Sequence, residues 1–349
     1  MTRTYAAADF DYDAPPERIA QRPAAERSAS RLLVLDRAHS TTSHEPFGNF
    51  PALIRPGDVL VRNVTKVLRA RLIGRREGGG STELLLVHPE ADGTWLAMVR
   101  PGGKLRPGRA VRFGDDATAE IVAVADQGLR RVRFHGLPVE AVMARYGAVP
   151  LPPYIDREAD AADAERYQTV YATAPGSVAA PTAGLHFTPE LLREVRARGA
   201  TFADVTLHVG PGTFRPVEVD EPSRHRMHAE WYEIPAASAE AVNTARREGR
   251  RVWAIGTTSA RVLETGGPAD RRTGGPFVQA GSGWTDLFIY PPFEFRVVDA
   301  LLTNFHLPRS TLLMLVAAFA GYEATMAAYR EAVTQRYRLY SYGDAMAIV

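Results

Sequence analysis

The amino-acid sequence predicts an α/β protein: a large α/β domain with a mixed sheet, carrying an inserted small all-β domain of barrel-like form. Three observations predict it. Between residues 69 and 137, short strand-like runs follow one another with only Gly, Pro and Asp turns between them. After about residue 148 the texture changes to strand, loop, helix. Residues 1–68 mix strand-like runs such as "RLLVLDR" and "GDVLVRNVT" with turn residues. The simplest architecture joins residues 1–68 and 148–349 in one discontinuous catalytic domain and gives 69–147 to the insertion. A separate N-terminal domain is the competing division.

In chain order, the insertion reads as "RARLIGRR", "STELLLVHP", "TWLAMVRP", "RAVRF", "TAEIVAVAD" and "LRRVRFHG", with "EGGGS" at 77–81 as a hairpin tip. Thr188-Pro189-Glu190 then opens a helix: a hydroxyl that can cap, a proline suited to the first helical position, and an acid near the positive pole. "TFADVTLHV" is a strand, and "RRVWAIG" is another, followed by a helix from about Ser259. "FRVVDALLTNF" is a third, leading into a helix near Ser310. "TGGPADRRTGGP", 265–276, is a Gly/Pro-rich loop expected to be mobile. The tyrosines of "YEATMAAYREAVTQRYRLYSYGD" recur at near-helical spacing and predict a packed aromatic face.

Composition excludes several classes of function. The 349 residues contain no cysteine, which removes disulfides, thiol catalysis and Cys-based zinc sites. A formal net charge of +2 carries no polybasic signal, although a local basic face would be averaged away in that figure. The N-terminus has acids and an aromatic where a signal peptide needs an apolar core. The longest apolar stretch, Leu312 to Tyr322, is about half the ~20 residues that span a bilayer. A cytoplasmic monomer is expected.

Ligands of open α/β sheets bind beyond the carboxyl ends of the strands. Four loops at that station have unusual content. "PTAGLHF" carries Thr182, Gly184 and His186; "LHVGPGTF" carries His208, Gly210, Gly212 and Thr213. "IGTTSAR" carries Thr257, Thr258 and, one turn on, Arg261; "TNFHLPRST" carries Asn304, His306 and Ser310. Each has a plain structural reading: a loop histidine is most often a local hydrogen-bonder, glycines serve turns, and hydroxyls cap helices. Their recurrence after several strands of one domain favours a pocket. "HRMHAEW" offers His225, His228 and Glu230, but no third metal ligand at a recognised spacing, so no metal site is expected. The dinucleotide fingerprint, the P-loop and the nucleophile elbow are missing.

At these loops the sequence resembles a known family. "GSVAAPTAGLHFTPELL", "VTLHVGPGTFRPV", "MHAEWYE", "AIGTTSARVLE", "GWTDLFIYPPFEFRVVDALLTNFHLPRSTLLMLVAAFAG" and "YSYGDAM" are similar to the S-adenosylmethionine:tRNA ribosyltransferase-isomerases of queuosine biosynthesis. The resemblance extends over nearly the whole chain and is thinnest in the β module. It implies an enzyme that uses S-adenosylmethionine as a ribosyl donor and acts on 7-aminomethyl-7-deazaguanine at the wobble position of tRNA. Epoxyqueuosine in tRNA, adenine and methionine would be the products. The sulfonium acidifies the adjacent C5′ proton, so a base of near-neutral pKa is needed, and the departing adenine wants a proton.

On that resemblance His186 and His208 are the acid/base candidates. Thr257, Thr258 and Arg261 are expected to hold the donor, with the helix N-terminus at 257–259 suited to its carboxylate. Thr182, Thr213, Asn304 and His306 are expected in the pocket wall. Glycines 184, 210 and 212 would admit close backbone approach. Asn63 and Lys66 fit the family's pattern before the β module, where Val64 replaces a polar residue and Arg69 a proline. Val64 would alter acceptor recognition if it touches substrate, and Arg69 would loosen a hinge. A relative acting on a small-molecule amine, or a non-catalytic tRNA- or nucleoside-binding protein, is the alternative.

Overall fold

The computed structural model describes residues 3–210, 212, 217–267 and 276–349. Its elements begin with a hairpin, β1 (Arg31–Asp36) and β2 (Thr41–Pro46), followed by β3 (Val59–Asn63) and β4 (Thr65–Val67). The central part contains β5 (Arg71–Arg76), β6 (Ser81–Pro89), β7 (Trp95–Arg100), β8 (Ala110–Phe113), β9 (Ala117–Val124) and β10 (Arg130–His135), then α1 (Val139–Tyr146) and β11 (Gly147–Ala148). Next come α2 (Asp163–Arg166), β12 (Ala174–Ser177), α3 (Pro189–Ala197), β13 (Thr201–Leu207), β14 (Glu230–Ile234) and α4 (Ala236–Arg247). The last group is β15 (Val252–Ile255), α5 (Thr257–Gly266), β16 (Gly281–Thr285), β17 (Ala300–Asn304), α6 (Thr311–Ala320), α7 (Tyr322–Thr334) and β18 (Ala345–Ile348).

The strands β5 to β10 close into a six-stranded antiparallel barrel in the order β5-β6-β7-β10-β9-β8, with β8 pairing back onto β5. Alternating burial along β5 and β9 points every second side chain inward, which is the period-2 pattern of a half-buried strand. Leu72, Leu84, Val111, Ile121 and Val132 fill the interior. Closure depends on Gly74: a Cβ there would stand 2.6–2.7 Å from Val111 and Phe113. The turn between β5 and β6 lies at the expected "EGGG" tip.

Among the described residues nine of the remaining strands build a mixed sheet, ordered β16-β14-β13-β3-β15-β17-β18-β1-β2, while β4 pairs with β12 and β11 with β5. Helices cover both faces. One core layer gathers Val61, Val205, Ala254 and Leu301 with Leu313, Val316 and Tyr329; the other gathers Leu60, Trp253, Ile255 and Leu302 with Phe47, Phe50, Phe187 and Leu191. Helix α6, apolar on almost every side, is buried in the first layer, and Ser310 caps it by accepting the Leu313 N–H at 3.2 Å. No single helix among the described residues is long and apolar enough to cross a membrane.

The four neighbouring strands β13, β3, β15 and β17 run parallel. Their carboxyl ends therefore deliver Leu207, Asn63, Ile255 and Asn304 to one edge. The antiparallel strand β18 brings the 340–344 turn back to the same edge. The "PGS" stretch, 175–177, extends as β12 and pairs in parallel with β4 in spite of its Pro and Gly. One local feature differs from the sequence reading. Arg69, expected to loosen the entry to the barrel, instead fastens it: its Nε donates to the Gly147 carbonyl at 2.8 Å and Nη1 to Ala144 at 3.1 Å, at the end of α1. The expected mobile loop at 265–276 lies mostly outside the described residues.

Candidate active site

A cleft open to solvent lies beyond these strand ends. Thr182, Thr257, Thr258, Asn304 and His306 all line it, and the fourth loop singled out in the sequence reaches it through Val209 alone. The segment "TAGLH" is a turn of 3-10 helix, Thr182–His186, whose first residues form the wall before Thr188 caps α3 by accepting the Leu191 N–H. At the start of α5 the chain turns through Gly256 at φ +91°, a left-handed conformation that favours glycine. That turn aims the unpaired first-turn N–H groups of α5 at the cleft.

One polar atom on the wall, Thr258 Oγ1, is buried and closes no hydrogen bond among the described residues, whereas Asn304 Oδ1 has the His186 ring beside it. Buried polar atoms normally have partners, so Thr258 points to a group that a ligand would supply. Asn304 is otherwise fixed, its Nδ2 donating to the Tyr340 carbonyl at 3.0 Å. His306 is held by Thr303, with Nε2 and the hydroxyl 2.7 Å apart, and burial pushes its pKa down to about 3. It is a neutral polar wall. Tyr154, Thr303, Tyr340 and Ser341 complete the cleft and escaped the loop-by-loop reading. The Tyr154 hydroxyl and Ser341 Oγ are 2.6 Å apart, closing the side opposite α5. Thr303 opens the quoted "TNFHLPRST", and Tyr340 and Ser341 lie in "YSYGDAM", which stood out only through the family resemblance.

The other expected site residues lie elsewhere. His186 is buried on the far side of the wall, lining a second small cavity with Arg27, Arg166 and Ser341. Its Nδ1 is 2.7 Å from the Ser30 hydroxyl and its ring packs on Phe47. Burial, with the charges of Arg27 and Arg338, pushes its pKa down to about 4, while the adjacent Asn304 opposes the shift. His208 does not line the cleft, although its neighbour Val209 does. Its Nδ1 is 2.8 Å from the Thr65 hydroxyl and its ring stacks on Trp231 at 5.1 Å. Partial burial lowers its pKa, so both rings are neutral near pH 7.

Arg261, expected on the donor, is buried and forms an ion pair with Glu230, while Nε donates to the Leu287 carbonyl. Glu230 Oε1 also accepts the Gly210 N–H at 2.7 Å. The pair thus ties the loop after β13 to α5. Glycine is needed at 184 because the Tyr171 hydroxyl occupies the space of a Cβ, and at 212 because the His228 ring does. None of the three expected glycines lines the cleft. Asn63 is held within the sheet: Nδ2 donates to the Leu207 carbonyl, and Oδ1 accepts from the Thr65 and Leu207 N–H groups. It brackets the ends of β3 and β13 and does not line the cleft. Lys66 is exposed on a separate surface beside Pro175. Val64 is buried among Tyr171, Ala183 and Phe187. Thr213 lies outside the described residues.

Comparisons with known proteins agree with the fold. Residues 7–348 match the family model described as queuosine biosynthesis protein. The S-adenosylmethionine:tRNA ribosyltransferase-isomerase of Symbiobacterium thermophilum is 52% identical over 344 residues, covering 98% of this chain and 99% of that one. The protein of the same name from Thermotoga maritima is 49% identical over 341 residues, with 98% and 99% covered. A crystal structure of an S-adenosylmethionine tRNA ribosyltransferase from Thermotoga maritima aligns over 98% of this chain and 100% of its own, at 39% identity and a TM-score of 0.55.

Proposed function

The chain belongs to the queuosine biosynthesis family of S-adenosylmethionine:tRNA ribosyltransferase-isomerases, and from that premise we propose what its cleft does. It is an enzyme of queuosine biosynthesis that takes S-adenosylmethionine and tRNA as substrates. In our reading it transfers and isomerises the ribosyl group of S-adenosylmethionine onto 7-aminomethyl-7-deazaguanine at the tRNA wobble position. Epoxyqueuosine-tRNA, adenine and methionine are the products. We read it as a cytoplasmic monomer that needs no metal.

The observation that carries the reading is the buried, unpartnered Thr258 Oγ1 in the cleft, beside the amino end of α5. The first-turn N–H groups of α5 receive the donor's carboxylate, and Thr182, Thr258 and Asn304 take its hydroxyl and amino groups. Arg261 acts indirectly, through Glu230, by fixing α5 against the loop after β13.

Proton transfer falls to His208 before His186. A neutral ring can accept a proton, and His208 keeps partial access to solvent beside the cleft wall, whereas His186 is sealed. Lys66 meets the acceptor from its separate surface. Burial of Val64 in the core supports the tRNA acceptor, since the residue does not meet substrate.

The test is adenine release from S-adenosylmethionine with tRNA carrying 7-aminomethyl-7-deazaguanine, against unmodified tRNA. Adenine and methionine formed together with a mass gain on the modified tRNA alone are expected. His208→Ala should lower kcat by roughly 10²-fold or more while donor affinity stays within a few-fold. Near-normal kcat would remove His208 as the acid/base group. Donor binding without turnover on the modified tRNA would sink the acceptor.

A further inference from the structure

We propose that Trp284, with Trp231 beside it, is a stacking platform for an unpaired nucleobase of the RNA acceptor; this rests on the reading of the acceptor as RNA. Strand β16 is the outermost strand of the large sheet at that side, and the Trp284 side chain on it is exposed, at 55%. Trp231 on β14 is its direct partner in the antiparallel ladder, so both indoles leave the sheet on the same face. On the inner side Trp231 stacks on His208 with the rings 21° apart, and the His208 N–H donates to the Trp231 carbonyl at 2.9 Å. On the outer side His88 of the barrel meets Trp284 edge-on, with centroids 5.3 Å apart. A strip of four rings therefore runs from the end of β13 to the barrel.

Flat aromatic surface suits a base, since every base has a π-face and unpaired bases are held on such rings. Charge supports the same occupant. Lys66 is exposed and has no hydrogen bond or ion pair among the described residues. It follows Thr65, the partner of His208, and pairs across the ladder with Pro175, next to the Gly176 that packs on the His208 ring. Alternation along β4 points Lys66 away from His208, so it would meet the RNA backbone beyond the inner end of the strip and not beneath the stacked base. The competing reading is that Trp284 and His88 only brace the barrel against the sheet.

The experiment compares wild type, Trp284→Leu, Trp284→Phe, His88→Ala and Lys66→Gln. RNA binding is followed with the acceptor anticodon stem-loop at several salt concentrations. S-adenosylmethionine affinity and Tm serve as fold controls. Trp284→Leu should weaken RNA binding roughly tenfold to a hundredfold at unchanged donor affinity and salt dependence, and Trp284→Phe should recover most of it. Lys66→Gln should flatten the plot of log K against log[salt] by about 0.7. Leu binding RNA as tightly as Trp would overturn the platform. So would equal losses in Trp284→Leu and His88→Ala accompanied by a lowered Tm, because that is a brace. Absence of RNA binding by wild type would sink the acceptor reading and the platform together, whereas RNA binding indifferent to residue 284 sinks the platform alone.

Discussion

Thr258 and His186 carry opposite consequences of burying a polar group. The Thr258 hydroxyl is buried with no partner, which costs the ligand-free protein free energy that a bound donor would return. Thr258→Val keeps the shape and removes the orphan atom. It should leave Tm unchanged or slightly raised while weakening S-adenosylmethionine binding about tenfold, both read from calorimetry. A matched loss of stability would mean that the hydroxyl has a structural partner instead. His186 is linked to pH. Its folded pKa of about 4 lies below the ordinary 6.5, so between those values the unfolded chain binds more protons. The contribution of His186 to stability is complete above about pH 6.5 and is lost as pH falls toward 4, an effect on the order of 3 kcal/mol. His306 and His208, also lowered, act in the same direction. His186→Phe, which can pack on Phe47, should flatten this acid limb in urea denaturation at pH 7 and pH 4.5. An unchanged slope would place the acid sensitivity in other groups.

At the level of elements, the contact that matters most is the ion pair between α5 and β14. Arg261 and Glu230 have side chains only 4% exposed, and Glu230 also holds the Gly210 N–H. Glu230→Gln would strand a buried guanidinium and should cost about 3–5 kcal/mol, visible as a lower urea midpoint. Donor affinity should fall with it, because α5 loses its anchor. Loss of stability with intact donor binding would separate the loop after β13 from the cleft. Such pairings explain what the sequence could and could not disclose. The barrel strands were legible because inward residues alternate strictly. The start of α5 was legible because "IGTTSA" places a glycine and hydroxyls between an apolar strand and an apolar helix. The ladder between β4 and β12 was hidden, since Pro175 and Gly176 locally resemble a turn and their pairing is 109 residues distant for Thr65 and Ala174. Sequence position put Arg261 near the donor, but only tertiary packing could reveal the carboxylate that holds it.

Across the whole molecule, strand order explains why the loops converge and why half of the chemistry-bearing residues still miss the cleft. Four parallel strands deliver their polar ends to one edge, which loop content already indicated. Which side of that edge each ring faces depends on local alternation: His208 and Val209 are neighbours, yet only Val209 lines the cleft. The barrel is a different matter. No residue between 69 and 147 lines the cleft, and the barrel has its own core. Its two ends meet side by side, because Ala148 pairs with Arg71. We therefore expect that replacing residues 70–147 with a short linker leaves a folded large sheet that binds S-adenosylmethionine within about tenfold of the intact chain. The same variant should bind the acceptor stem-loop poorly, because the aromatic strip loses His88. Calorimetry with the donor and titration with the stem-loop separate the two effects. Donor binding that vanishes with the barrel would show that Val178, which packs into the barrel core, and the adjoining cleft wall at Ala179 and Ala180 need the barrel to hold their place.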